Sequence, residues 1–262
     1  MYSNLEKFNL PTPESVFDLQ FFAKNPVPFV TLAKDLLPGS HRPTKSHFFV
    51  TVLEQKNVVR RMYTQNIDDL EKYAGFSEEL LVQAHGTFSS ARCIKCKRGH
   101  PPRHYRRAIC RGQTPLCVIC KGYVKPDVVF FNEDLPERFH KHSAKDFSCA
   151  DLLLVMGTSL AVEPVKQLIH KVPSSCHRVL INREVVAGDF FLPQKETSES
   201  IRAVFLGDCD EGCSLFAEMC GWKAELESVA KNAIAKFDEQ AEIDSLDDSD
   251  AVVEVDLNRN VV

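Results

Sequence analysis

The chain has 262 residues, of which 44% are hydrophobic and 26% are charged, values that are ordinary for a globular protein. The longest strongly apolar run, residues 152–156, is far too short to span a bilayer, and the first residues lack the apolar region of a signal peptide. The formal net charge of −4 is unevenly distributed, since residues 237–257 carry nine acidic residues and no basic one. A membrane protein is therefore not expected, and residues 237–262 are predicted to be a disordered acidic tail.

Hydrophobic periodicity predicts alternating helices and strands. Residues 13–37 are predicted to form two helices, separated at Pro26 and Pro28, and a third helix is predicted from Pro43. Short apolar runs predict strands at residues 58–63, 80–84, 123–131, 151–156, 178–181 and 201–206. Further helices are predicted at residues 139–147, 164–170, 211–220 and 222–236. The run 151–156 has the continuous apolar character of a fully buried parallel strand.

This alternation predicts an α/β fold with a parallel, Rossmann-type sheet. Polar residues or glycines follow the predicted strands near residues 64, 85, 157, 182 and 207. Each of these clusters, taken alone, is just as typical of a turn or a helix cap as of a binding site. Ligands of open α/β sheets bind at the carboxyl ends of the strands, so together the clusters predict the rim of a nucleotide crevice.

Two cysteine pairs predict a metal site. Cys93 and Cys96 are separated by two residues, as are Cys117 and Cys120, and 20 residues lie between the pairs. This spacing is typical of a zinc ribbon, in which four thiolates fill the tetrahedral shell of one structural ion. Two disulfides in a secreted protein are the alternative, which the absence of secretory features disfavours.

Six sequence motifs follow one another in the chain: Tyr-Thr-Gln-Asn-Ile-Asp from Tyr63, Ala-His-Gly-Thr from Ala84, the cysteine ribbon, Lys-Pro-Asp-Val-Val-Phe-Phe from Lys125, Gly-Thr-Ser-Leu from Gly157 and Leu-Ile-Asn-Arg from Leu180. In this order they resemble the motifs of the sirtuins, the NAD-dependent protein lysine deacylases. Phrases beginning at Tyr2, Leu32 and Leu206 resemble the sirtuin-2-like class I branch. The resemblance implies a Rossmann-type NAD-binding domain (residues 1–85 and 124–236) with a helical insert near 10–56, and a zinc-ribbon module (86–123). It also implies a cytoplasmic protein, with the nucleus as a second compartment.

The resemblance also assigns residue roles. His85 corresponds to the general base, although a lone histidine is by itself more typical of a hydrogen-bonded core residue. The expected NAD-binding residues are Gln65, Asn66, Ile67, Asp68, Gly157, Thr158, Ser159, Asn182, Arg183, Glu184 and Cys209. Val129, Phe131 and Glu133 are expected to line the slot where an extended acetyl-lysine peptide adds as a strand. Acetylated proteins or peptides are therefore the expected partners.

Three features depart from the family pattern. The family's opening strand, its Gly-Ala-Gly-x-Ser phosphate-binding turn and its Gly-Ile-Pro-Asp-Phe-Arg loop have no counterpart before Tyr2, which predicts weak or absent NAD binding and low stability. Asn132 replaces the usual glycine, and asparagine is the least costly replacement if that position needs a positive φ. Asp69 stands where a small neutral residue is common, and we expect it to face outward.

Two other function classes remain open at this point. A catalytically inactive sirtuin-like scaffold would fit the missing phosphate-binding turn. A nucleic-acid-binding zinc protein is suggested by residues 86–126, which carry ten Lys and Arg residues and no acidic one. Such a protein needs aromatic side chains or a helix placed for base contact, and only Tyr105 and Tyr123 alternate with the basic residues, so direct nucleic-acid binding is not expected.

Overall fold

The computed structural model describes residues 10–192 and 200–257, with side chains described as far as residue 240. The motif beginning at Tyr2 and the last part of the predicted tail, residues 258–262, lie outside the described residues. The helices are α1 (Leu19–Lys24), α2 (Val27–Leu36), α3 (Lys45–Gln55), α4 (Leu70–Tyr73), α5 (Pro102–Cys110), α6 (Glu137–Ser148), α7 (Val165–Leu168), α8 (Gly188–Phe191), α9 (Cys209–Met219) and α10 (Lys223–Leu257). The strands are β1 (Met62–Thr64), β2 (Leu81–Gln83), β3 (Gly86–Cys93), β4 (Gly99–His100), β5 (Val124–Val128), β6 (Leu152–Met156), β7 (His177–Asn182) and β8 (Arg202–Leu206).

The α/β fold with parallel pairing is confirmed, and the parallel strands divide between two sheets. β1 pairs with β2, and β6, β7 and β8 pair in that order. Between β1 and β6 the described residues share no ladder hydrogen bonds, but Tyr63 of β1 and Leu153 of β6 pack against the same apolar core. The prediction that β6 is fully buried is wrong, because in the described chain it pairs on one side only, and Leu152 is 45% exposed.

A separate three-stranded antiparallel sheet, in the order β4-β3-β5, carries Cys93 at the end of β3, and the other three cysteines of the pairs lie in the connections between its strands. Its core is continuous with that of the helical insert, since Phe29 of α2 stacks on Phe88 of β3 with ring centroids 6.3 Å apart. Tyr105 of α5 is buried in the same cluster. The ribbon and the insert therefore stabilise each other through shared apolar contacts.

The long helix α10 packs against α3. Its buried residues Leu226, Val229 and Ala233 share a core with Phe49. The predicted boundary of the acidic tail is wrong, because Phe237 is buried against the Tyr73 ring and α10 continues to Leu257. None of the helices in the described part of the chain is long and apolar enough to cross a membrane.

Candidate active site and metal centre

Polar side chains from the ends of β1, β6 and β7 meet, as the strand-end pattern predicts. Gln65 Nε2 donates to Thr158 Oγ1 at 2.9 Å, although the two residues are 93 positions apart in the chain. The side-chain amide of Asn182 donates to the carbonyl oxygens of Thr158 (3.1 Å) and Glu184 (3.0 Å). Amide and hydroxyl groups of this kind fit the hydroxyls of a ribose and the amide of a nicotinamide.

The end of β8 joins this crevice through Gly157. Gly157 has φ 57°, and a Cβ atom there would lie 3.3 Å from Cys209 Sγ at the start of α9. A side chain at position 157 would therefore be strained and would narrow the space beside Cys209. Arg183 and Ser159 are exposed at the rim, and Arg183 pairs with Asp208 at 3.2 Å.

The segment after β1 forms a tight turn. Asn66 donates its backbone N–H to Thr64 Oγ1 at 3.1 Å and leaves its side chain exposed, while Asp68 Oδ1 accepts from the backbone N–H of Leu70 at 3.2 Å. Ile67 packs against the core of the helical insert. The turn thus anchors Ile67 in the protein, beside the polar residues Asn66 and Asp68.

His85 lies in the turn between β2 and β3, next to the Gln65 segment. Its Nδ1 is 3.0 Å from the carbonyl oxygen of Gln65. A carbonyl only accepts, so Nδ1 carries the proton in the neutral ring and Nε2 keeps a lone pair. Burial lowers the pKa of His85 from its ordinary value of 6.5, and the hydrogen bond to Gln65 partly opposes that effect. The ring is therefore neutral at pH 7 and can accept a proton at Nε2.

The backbone around His85 is closely packed against β5. Gly86 has φ 77°, and a Cβ atom there would lie 1.9 Å from the carbonyl oxygen of Asp127. The backbone N–H of Val129 donates to the carbonyl of His85 at 2.8 Å. Only glycine fits at position 86, and this close approach places His85 beside the segment predicted to line the peptide slot.

That predicted slot segment is partly engaged with the protein itself. Phe131 is 53% exposed, Val129 is half-buried, and the backbone N–H of Phe131 donates to the carbonyl of Phe17 at 2.8 Å. Glu133 accepts from Lys125 Nζ at 2.8 Å and from the backbone N–H of Phe130 at 2.9 Å. The Glu133 carboxylate therefore holds the segment in shape.

Lys125 is a residue of this region to which the sequence assigned no role. It is buried, and its Nζ lies 4.2 Å from the centroid of the Phe130 ring and donates to the carbonyl of Val128 at 2.6 Å. Burial lowers the pKa of Lys125, and the ion pair with Glu133 opposes this. The sequence shows that Lys125 belongs to the Lys-Pro-Asp motif, but only the fold shows that Glu133 is its partner.

Asn132 and Asp69, the two residues that depart from the family pattern, differ in how well the structure agrees with expectation. Asn132 adopts φ 69°, as the replacement of glycine suggested, and its side-chain amide turns to Asp18 at 3.0 Å. The expectation that Asp69 faces outward is wrong, because Asp69 is 2% exposed. Its φ of 60° turns the side chain into the protein, where Gln83, Thr87 and Ser89 donate to it.

The four predicted zinc ligands converge. The sulfur atoms of Cys93, Cys96, Cys117 and Cys120 all lie within 4.8 Å of one another, and the pairs Cys93–Cys120 and Cys96–Cys117 are 3.4 and 3.7 Å apart. A tetrahedral ion with Zn–S bonds of about 2.3 Å requires sulfur separations of about 3.8 Å, so the arrangement fits zinc. A hydrogen bond from the Cys120 backbone is the main cause that lowers the pKa of the Cys117 thiol, whereas the pKa of the Cys120 thiol is raised despite a hydrogen bond from the Gly122 backbone, because the neighbouring Cys93 sulfur and burial oppose it.

Comparison with known proteins agrees with these motifs. The model of the Sir2 family matches residues 1–164. The chain is 43% identical to the NAD-dependent protein deacetylase hst2 of Schizosaccharomyces pombe, over 94% of this chain and 72% of that protein. It is 44% identical to the NAD-dependent protein deacetylase sirtuin-3 of Mus musculus, over 92% of this chain and 70% of that protein. It is 41% identical to the NAD-dependent protein deacetylase sirtuin-2 of Danio rerio, over 91% of this chain and 66% of that protein.

Proposed function

Since the chain belongs to the Sir2 family, we propose that it is an NAD-dependent protein lysine deacetylase that acts on acetylated proteins or peptides. The observation that carries this proposal is the position of His85, whose Nδ1–H is held by Gln65 while Gln65 also reaches Thr158 across the crevice. These contacts support the proposal because they link His85, the proposed general base, to predicted cofactor residues at two strand ends.

When bound, NAD supplies the ADP-ribose unit that accepts the acetyl group, with nicotinamide as the leaving group. Asn66 and Asp68 are proposed to hold the nicotinamide and its ribose, and Gln65 and Ile67 to border the same pocket. The remaining cofactor contacts are proposed for Gly157, Thr158, Ser159, Asn182, Arg183, Glu184 and Cys209. Their amide, hydroxyl and backbone groups suit a ligand with two riboses and a pyrophosphate. The expectation of weak NAD binding stays a prediction, which calorimetric titration with NAD tests.

His85 is proposed as the general base. Its Nε2 would accept a proton from a hydroxyl of the cofactor ribose. The Gln65 carbonyl fixes the tautomer by accepting from Nδ1, as a base-orienting group must. A neutral imidazole is the reactive form, and the lowered pKa of His85 keeps it available at pH 7.

The peptide is proposed to bind as an extended strand along Val129, Phe131 and Glu133. The exposed Phe131 ring offers an apolar wall to a neutral acetyl-lysine, whereas a free ammonium would lose hydration without gaining a partner. The proposed contribution of Glu133 is to keep the segment in place through Lys125. The four cysteines would fill the tetrahedral shell of a zinc ion, so the proposed role of that ion is to stabilise the ribbon.

The proposal is tested by following nicotinamide release from NAD in the presence of an acetyl-lysine peptide. His85→Ala is expected to lower turnover by a factor of about 10² or more, since a general base contributes that much. NAD affinity is expected to change little, because the imidazole acts in the proton transfer. His104→Ala, at an exposed position on α5, is the matched control and should keep the wild-type rate.

The outcomes separate the candidate functions. Turnover by the wild-type chain and the His104 variant, with loss in the His85 variant, supports the deacetylase. An unchanged rate in the His85 variant contradicts the general-base role. If the wild-type chain binds partners but releases no nicotinamide at saturating NAD, the catalytically inactive scaffold replaces the proposed function.

The proposed compartment is the cytoplasm, with the nucleus as a second one. The cysteines of the described chain are free thiols, and a four-thiolate site is stable in a reducing compartment. Subcellular fractionation of the expressed protein tests this. We propose no direct nucleic-acid binding. Binding to DNA with a steep salt dependence would contradict this expectation.

A further inference from the structure

Asp69 is a buried carboxylate at the centre of the site. It is 2% exposed and has the left-handed backbone conformation φ 60°, ψ 18°. The conformation is uncommon for residues other than glycine, asparagine and aspartate, so the protein holds Asp69 in this orientation at some cost. A buried carboxylate is tolerated only where donors satisfy it, which makes its partners informative.

The partners of Asp69 lie on both sides of His85. Gln83 Nε2 at the end of β2 donates to Oδ1. Thr87 Oγ1 at the start of β3 lies 2.9 Å from both oxygens, and Ser89 Oγ donates to Oδ2. Residues 83 and 87 are each two positions from His85, so one carboxylate fixes both ends of the turn that carries the imidazole.

The same residue continues the segment that is proposed to hold the nicotinamide ribose, since Asp69 directly follows Asp68. Lys72 Nζ, on the first turn of α4, lies 3.3 Å from Asp69 Oδ1 and supplies a compensating charge. A displacement of Asp69 would therefore move the Asn66–Asp68 turn and the His85 turn relative to each other.

We propose that Asp69 is a positioning residue that sets the placement of His85 relative to the Asn66–Asp68 turn by binding Gln83, Thr87 and Ser89 at once. This inference rests on the proposed deacetylase function for its kinetic consequence, but its structural part concerns only the chain itself. The carboxylate acts through its hydrogen-bond partners and has no contact with the reacting atoms. Charged acceptors make the stronger hydrogen bonds, which suits a residue that must hold several donors.

Three variants form a graded test. Asp69→Gly accepts φ 60° without strain and removes every bond of the carboxylate. Asp69→Asn also tolerates this conformation and keeps one acceptor oxygen. Thr87→Val preserves shape and removes one donor. A misplacement on the order of 1 Å costs up to about 10²-fold in rate, so we expect kcat to fall about tenfold or more in Asp69→Gly and less in the other two, with the KM for the peptide unchanged.

The matched control is Asp146→Asn. Asp146 is a carboxylate of similar burial that accepts from Arg60, Arg61 and Tyr63, and its donors lie on and before β1. Its loss is expected to lower the melting temperature, as loss of Asp69 does, and to leave kcat of the folded enzyme unchanged. The control separates a general loss of stability from a loss of position at His85.

Amide hydrogen exchange gives a reading that does not depend on turnover. We expect faster exchange at residues 84–89 in the Asp69 variants than in the wild-type chain, with residues 178–181 of β7 unchanged. The Asp146 variant should leave residues 84–89 as protected as in the wild type. If Asp69→Gly does not fold, Asp69→Asn and Thr87→Val supply the same comparison.

The results judge the two proposals separately. A wild-type chain without nicotinamide release would overturn the deacetylase function, while faster exchange at residues 84–89 would still support the positioning role. If the wild-type chain turns over and folded Asp69 variants keep the wild-type kcat, as the Asp146 variant is expected to do, the kinetic role of Asp69 is overturned. Unchanged exchange at residues 84–89 would overturn the structural one.

Discussion

At the scale of single residues, the chemistry of this protein depends on side chains whose ionisation or conformation is set by their surroundings. His85 is neutral because burial lowers its pKa, and the carbonyl of Gln65 fixes which ring nitrogen carries the proton. Asn132 occupies a positive-φ position and uses its amide to contact Asp18. Each of these features leads to a measurable effect of pH or substitution.

The pH dependence follows from the pKa of His85. Burial lowers this pKa below 6.5, so the base is active above its folded-state pKa and lost as pH falls through it. We expect kcat/KM to reach its plateau by pH 7 and its acid limb to have a midpoint below 6.5. An acid-limb midpoint above 6.5 in the nicotinamide-release assay would contradict the effect of burial.

The lowered pKa of His85 also makes the stability of the protein depend on pH. Because the folded-state pKa of His85 is the lower one, the unfolded chain binds more protons between that pKa and 6.5. The contribution of His85 to stability is therefore present above pH 6.5 and is lost as pH falls. His85→Ala should show a smaller loss of stability over this window when urea unfolding is measured at several pH values.

Substitution of Asn132 separates backbone strain from hydrogen bonding. Asn132→Gly relieves the positive φ and removes an exposed hydrogen bond, so its free energy of unfolding should stay within about 0.5–1 kcal/mol of wild type. Asn132→Ala removes the same bond and keeps a Cβ at φ 69°, which costs about 1 kcal/mol more. Urea denaturation compares the two, and equal stabilities would show that strain is absent.

At the scale of elements, the zinc ribbon is held by its metal ligands and by the helical insert. β3 carries Cys93 at its end and His85 immediately precedes its start, so one strand joins the metal site to the turn that carries the proposed base. The shared core of Phe29 and Phe88 connects the ribbon to α2. Damage to the ribbon is therefore expected to reach the active site through β3.

Removal of zinc with a chelator is expected to unfold residues 86–123 and to abolish turnover. Structural zinc contributes folding free energy directly, because its four ligands are brought together only in the folded ribbon. Hydrogen exchange should rise in β3 and β5, while β7 and β8 serve as the internal reference. One zinc per chain in the untreated protein, by elemental analysis, is the companion measurement. An unchanged exchange pattern after verified metal loss would contradict this role.

At the scale of the whole molecule, α10 connects the C-terminal part of the chain to the helical insert. Phe237 packs against Tyr73 with ring centroids 5.1 Å apart, and Asp238 pairs with Arg42 at 2.8 Å. The Phe237 side chain also borders a cavity of about 490 Å³ between α3, α4 and α10. The helix therefore contributes to the core beyond the boundary that its acidic composition suggested.

Phe237→Ala is expected to destabilise the protein by about 3 kcal/mol. Loss of a buried phenylalanine costs about 3–5 kcal/mol, and the adjacent cavity favours the lower end because some contacts at this site are already missing. Met219→Ala is the control, since Met219 is 80% exposed and its loss should cost under about 0.5 kcal/mol. Thermal or urea unfolding measures both, and equal effects would contradict the packing role of Phe237.

Several features were predictable because they depend on residues close together in the chain. The cysteine spacing predicted the metal cluster, and the turns after apolar runs predicted that Gln65, Thr158 and Asn182 would lie at strand ends. The motif around His85 predicted its role as the general base, and that role stays a prediction. The period of apolar residues and the spacing of the cysteines reflect local geometry, so these features can be recognised in the sequence.

The tertiary structure decided the contacts between residues that are distant in sequence. The inward orientation of Asp69, the ion pair of Glu133 with Lys125 and the burial of Phe237 each depend on which elements pack together. The division of the parallel strands between two sheets is of the same kind. By itself the sequence determined the chemical groups and their local turns. Only the fold determined which donors the carboxylates of Asp69 and Glu133 would find, because a charge taken out of water depends on the neighbours that the packing brings to it.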